Sequence, residues 1–173
     1  MTQNEQCQEL LMQEVIRIDF MPVTTLKISK PFALRNLTDV SVTMSDNSAL
    51  TDEKMFAASL LSLNMTGDAT ADAEMQEGVS HKVTEKRELI GISRTHTLQI
   101  PIESGFETVR TKEEGLQGTE FHVILTTYSG VRYLVYGLPN TSQFLVDEQM
   151  AQNTTMTVKA TIVSMSGFIR IAS

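Results

Sequence analysis

Thr119-Glu-Phe-His-Val-Ile-Leu-Thr-Thr-Tyr-Ser-Gly-Val-Arg-Tyr-Leu-Val-Tyr-Gly137 decides the fold class. Two runs rich in β-branched and aromatic residues flank Tyr128-Ser129-Gly130, and glycine supplies the positive φ that a tight reversal needs. The stretch predicts a β-hairpin built to pack. Moving outward, Ser142 to Val146 and Thr154 to Ile171 predict further strands, the last with Met156, Val158, Ala160, Ile162 and Ser164 on one face and a bulge or bend at Gly167. Upstream, Ile90 to Ile102 predicts a strand, and His81 to Glu88 a polar one that pairs with it.

Glu14 to Pro22 alternates Ile16, Ile18 and Phe20 against Arg17 and Asp19, the period of a half-buried strand that Pro22 ends. Short extended runs at 24–29, 32–37 and 39–45, broken by Pro31, Asn36 and Asp46-Asn47-Ser48, predict a meander. Thr51 to Asn64 is ambiguous: Thr51 can cap a helix, yet Phe56, Ala58 and Leu60 alternate like a strand, and the β-rich surroundings favour the strand. Phe106 to Leu116 is the clearest helix, with Phe106 and Val109 on one face and Gly115 ending it. The expected fold is therefore mainly β, a β-sandwich or partly closed barrel with one short helix. Residues 1–13 form an arm and residues 14–173 a single domain.

Composition narrows the function classes. The 173 residues carry a net charge of −7, with 14 Lys and Arg scattered along the chain, so a clustered phosphate-neutralising face is not expected. Cys7 is the single cysteine, which excludes an internal disulfide and a thiolate metal site. No apolar run reaches membrane-spanning length, and the N-terminus lacks a basic region followed by an apolar stretch, which points to a cytoplasmic site of synthesis and no membrane partner. Asn-X-Ser/Thr triplets at Asn36, Asn64, Asn140 and Asn153 reflect abundant threonine.

No constellation for catalysis stands out. His81, His96 and His122 fall in predicted strands without a ligand spacing, and His96 has no nucleophile or carboxylate beside it in sequence. Asp68, Asp72, Glu74 and Glu77 lie in an acidic segment bracketed by Gly67 and Gly78, but their spacing is not that of a calcium loop, and the segment is expected to be a mobile loop. The chain is thus read as a non-enzyme without metal or cofactor. Tyr128, Tyr133 and Tyr136, with Arg132 as the nearby cation, offer either a stacking platform for a ligand or cross-strand packing. Ten methionines and 21 threonines either suit sheet faces that meet other subunits or reflect composition alone.

The order of an extended segment at Thr95 to Ile102, a short helix, the hairpin from Leu116 to Gly137 and a long closing strand resembles small structural proteins of phage and prophage tail modules, of the tail-tube or tail-completion type. The resemblance implies a virion protein, assembled in a host cytoplasm. Its subunits would close a ring, contribute strands to an inner barrel, stack with other virion proteins and let DNA pass without specific binding. Ring closure would satisfy open strand edges. The candidate assembly residues are then Leu10, Leu11 and Met12 in the arm, Asp68 and Asp72 in the acidic segment, and Tyr128, Arg132, Tyr133 and Tyr136 around the hairpin, with the arm and residues 67–78 ordering on stacking. Two alternatives stay open: a carbohydrate- or protein-binding β-sandwich using Tyr133 and Tyr136, and a head–tail joining or capsid-associated protein.

Overall fold

A computed structural model describes residues 13–29, 39–89, 91–138, 143–149, 155–165 and 167–172. Leu10, Leu11 and Met12, and the run at 32–37, lie outside these. The fold is mainly β, as the alternating runs predict, and among the described residues two helices are complete where the sequence predicts one.

The strands are β1 (Val15–Pro22), β2 (Leu26–Ile28), β3 (Asp39–Val40), β4 (Val42–Met44), β5 (Leu61–Asn64), β6 (Ala73–Met75), β7 (Ser80–Glu88), β8 (Gly91–Ser104), β9 (Phe121–Thr127), β10 (Arg132–Val135), β11 (Gln143–Gln149), β12 (Thr155–Ser164) and β13 (Ile169–Ile171). The helices are α1 (Asp52–Ala58) and α2 (Phe106–Leu116). Eleven strands form one sheet in the order β11-β12-β8-β6-β5-β1-β9-β10-β13-β3, with β7 also paired to β8, while β2 and β4 form a separate pair.

The large sheet curls back on itself. Just past β10, the Leu138 N–H donates to the Val163 carbonyl of β12 at 2.9 Å, which links the two ends of the run from β12 through β8, β6, β5, β1 and β9 to β10. The result is a partly closed barrel. Its interior holds Ile18, Phe20, Leu63, Met75, Leu98, Ile100, Phe121, Val123, Phe144 and Val158, and α2 adds Val109 and Leu116. Phe20 meets Phe121 and Phe144 edge-to-face, each at 5.4 Å between centroids, the arrangement that opposes ring edge to ring face.

A second layer covers the outer face of β1, β9 and β10. Met21, Ile124 and Leu134 point outward there and are buried by Leu26, Val42 and Met44 of the small sheet, by Met55 of α1 and by Ile169 and Ile171 of β13. All seven residues of β9 are consequently buried, a central strand covered on both sides.

Several expectations change. β1 is not half-buried, for Arg17 is 2% and Asp19 0% exposed; their polar face is covered rather than solvated. The segment Thr51–Asn64 divides into α1, whose Lys54 N–H donates to the Thr51 hydroxyl at 3.2 Å, and the buried strand β5. Residues 67–78 do not form a free loop: Ala73 and Met75 are buried in β6, which pairs with β5 and β8. Gly167 lies between β12 and β13, which sit in different parts of the sheet, rather than at a bulge within one strand. Helix α2 runs through Gly115 to Leu116. The turn at Gly130 does carry the positive φ of 87° that its sequence implies.

Candidate assembly surface

The polar residues of β1 sit in a dense internal network. Arg17 donates to both carboxylate oxygens of Asp19, at 2.9 and 3.0 Å, to the Thr70 hydroxyl at 2.9 Å, to the Thr70 carbonyl at 2.6 Å and to the Asp52 carbonyl at 3.2 Å. Ser62 adds a hydroxyl donor to Asp19 at 2.6 Å. Burial pushes the Asp19 carboxyl above its ordinary value, against the pull of the Arg17 guanidinium and the Ser62 hydroxyl. The network ties the segment after β5 and the start of α1 to the barrel wall.

This network uses much of what the sequence offered as interface. Asp68 accepts from Thr66, Thr70 and Asn64, bonds led by the Thr70 hydroxyl that hold its pKa down to about 2. Asp72 accepts from the Ser62 N–H at 2.8 Å and pairs with Lys112 of α2 at 3.6 Å. Arg132 pairs with Asp52 at 3.2 Å. The three tyrosines do not assemble into a platform. Tyr128 stands 85% exposed at the β9–β10 turn, Tyr133 packs against the barrel interior, and Tyr136 packs against the outer layer, stacked on His122 at 4.5 Å. Tyr133 and Tyr136 thus serve opposite sides of the wall.

His122 is 4% exposed, accepts the Gly137 N–H at Nδ1 over 2.9 Å, and has its pKa pulled down to about 4 by burial. It is a core side chain. Among the described residues no group of three or more His, Cys, Asp or Glu is placed to hold a metal ion.

The surface that sequence reasoning missed is a four-stranded antiparallel sheet, β7-β8-β12-β11. Leu98, Ile100, Val158 and Phe144 turn one of its faces to the barrel interior. Register puts Lys82 opposite Thr97, Thr97 opposite Thr161, and Thr161 opposite Gln143 on the other face; Leu145 lies there opposite Lys159, and Asp147 opposite Thr157. That face is a field of hydroxyls and amides, with lysines at 82, 86 and 159 and an aspartate at 147.

Each outer strand of this sheet pairs on one side only: among the described residues β7 pairs with β8 alone and β11 with β12 alone. Nine residues of β7 present an edge about 30 Å long at ~3.3 Å per residue. Its Lys82, Glu85, Lys86 and Arg87 are exposed, the charge density by which edge strands resist indiscriminate pairing. This is the one sequence signal that marks the strand as an edge. On β11 the Val146 N–H donates to Glu113 of α2 over 3.4 Å, a long and readily exchanged bond. Beside it a groove of about 510 Å³ runs between Gln117, Gly118, Phe144 and Leu145, with Leu145 54% exposed.

Comparison with known proteins finds no matching family model, no matching characterised protein and no matching solved structure.

Proposed function

We propose that this chain is a virion structural protein, the subunit of a phage tail tube, which closes into rings through the edges of the β7-β8-β12-β11 sheet and stacks those rings into a DNA channel. The observation that carries the reading is the pair of open edges. Neighbouring strands in this sheet alternate in direction, so β7 and β11 run oppositely. A β7 laid beside the β11 of the next copy therefore continues the antiparallel order, and repetition of one such head-to-tail contact closes a ring when the rotation allows.

The sheet face away from the core suits a channel lining. Its hydroxyls and amides hydrogen-bond water, and its three lysines stand apart on two strands, with Asp147 beside them on β11, short of the clustered cations that hold phosphate. Passage without capture follows.

The edge contact is tested by charge exchange. Asp147→Lys sets a cation on β11 against Lys82 and Lys86 of the adjoining β7, and like charges across paired strands are unfavourable by up to about 1 kcal/mol each. Sedimentation should show weaker association for Asp147→Lys, an unchanged monomer unfolding midpoint, and recovery in Asp147→Lys/Lys82→Glu. Association unaffected by either change contradicts this edge pairing. Rings that form but never stack would move the assignment to a head–tail joining protein.

A further inference from the structure

Strand β7 is held to the sheet along one side, so the contact that fastens it matters. His81 reaches diagonally across to His96 of β8. Its Nε2 lies 2.9 Å from His96 Nδ1, and the rings stack with centroids 5.1 Å apart. Phe168, from the segment joining β12 to β13, packs on His81 at 4.4 Å and on His96 at 5.8 Å. His96 is fully buried, and Nδ1 of His81, buried as well, has no hydrogen-bond partner among the described residues.

We propose that this stacked imidazole pair is an acid-released latch that fastens β7 to β8. In the shared hydrogen bond one ring donates and the other accepts. A buried bare acceptor is tolerated more readily than a buried orphan N–H, which assigns the donor role to His81 Nε2–H and leaves a lone pair on His81 Nδ1. A proton added there creates an N–H with no acceptor and a charge pressed against Phe168. A second proton, on His96 Nδ1, removes the acceptor and stacks two cations.

The charged groups described on this face of the hairpin are already engaged. On the same face of the hairpin, Glu85 is paired with Arg94 at 3.2 Å, and Arg94 also donates to the Met165 carbonyl at 2.9 Å. From β12 the residue opposite His96 is Ile162. Burial, and next the neighbouring His96, hold the His81 pKa down to about 3. The closed pair therefore stays neutral, whereas a His81 released to water titrates near 6.5 and takes up one proton from solvent as β7 leaves. The latch is a property of the single chain; its consequence, loss of the β7 edge for ring closure in acid, rests on the assembly reading above.

Hydrogen exchange of the full chain, below its association threshold, tests the latch. Exchange at residues 82–87, divided at each pH by the rate of the same amides in the urea-unfolded chain, is expected to rise about tenfold or more between pH 7.5 and 5.5. His81→Phe, which keeps a ring in the stack but takes no proton, should abolish the rise. A constant ratio in the wild type, or an equal rise in His81→Phe, overturns the proposal. Should His81→Phe fail to fold, imidazole titration in the wild type decides: a His81 midpoint near 6.5 while β7 stays protected contradicts the latch.

Discussion

Arg17 shows how one side chain fastens distant parts of the chain. Its guanidinium links β1 to Thr70 and to the start of α1, and Asp19 neutralises it in a site where neither charge reaches water. Truncating one partner of a buried pair strands the other, at a cost of about 3–5 kcal/mol, whereas replacing both with apolar residues costs less. Arg17→Met should therefore lower the denaturant midpoint strongly, and Arg17→Met/Asp19→Leu should recover part of the loss; equal midpoints for wild type and Arg17→Met would refute this. Buried histidines act through pH. His122 has a folded pKa lowered to about 4 from an ordinary 6.5, so the fold favours its neutral form. Its contribution is complete above about pH 6.5 and is lost as pH falls toward 4, by up to about 1.4 kcal/mol per pH unit. Urea titrations at pH 7.5 and 5.5 should show that loss, and His122→Phe should reduce it. An equal loss in the variant would place the titration elsewhere. Neither role is visible in the sequence. Arg17 and Asp19 fall where alternation predicts a solvent face, and the residues that cover them, Thr70 and Asp52, are 53 and 35 positions away.

At the scale of elements, local signals and tertiary context divide the outcome. The β9–β10 hairpin was legible because its two apolar runs are long enough to need a sheet and its turn carries the required glycine. β6 was not, because Ala73 and Met75 stand among acids and only β5 and β8 on either side give the three-residue strand a reason to form. α1 and β5 share a stretch in which cap and alternation compete; the cap governs the first half and burial the second. The corner between β8 and α2 makes a sharp prediction. Gly105 has φ of 90°, and a Cβ there would sit 2.8 Å from the Ala73 Cβ and 2.9 Å from its Cα. Gly105→Ala must therefore strain the backbone and push β6 aside, and a loss of about 1–3 kcal/mol is expected. An unchanged thermal midpoint would show that the corner is looser than its contacts indicate.

For the whole molecule, the decisive feature is that the barrel wall includes a sheet whose two oppositely directed outer strands, β7 and β11, have no second strand partner among the described residues. Composition and periodicity gave the β-rich class, and the abundance of threonine suited a sheet face in contact with water or other subunits. The topology that leaves those edges open depends on β8 pairing with three partners, a long-range arrangement that no local pattern encodes. The tyrosines are dispersed for a local reason: Tyr133 and Tyr136 stand three positions apart, so strand alternation turns them to opposite sides of the wall. The central claim, self-assembly into rings, is tested most directly by light scattering with negative-stain imaging of the purified chain over a concentration series near neutral pH. The account predicts mass that rises with concentration, with rings and short tubes in the images. A monomer that persists at every concentration would contradict it.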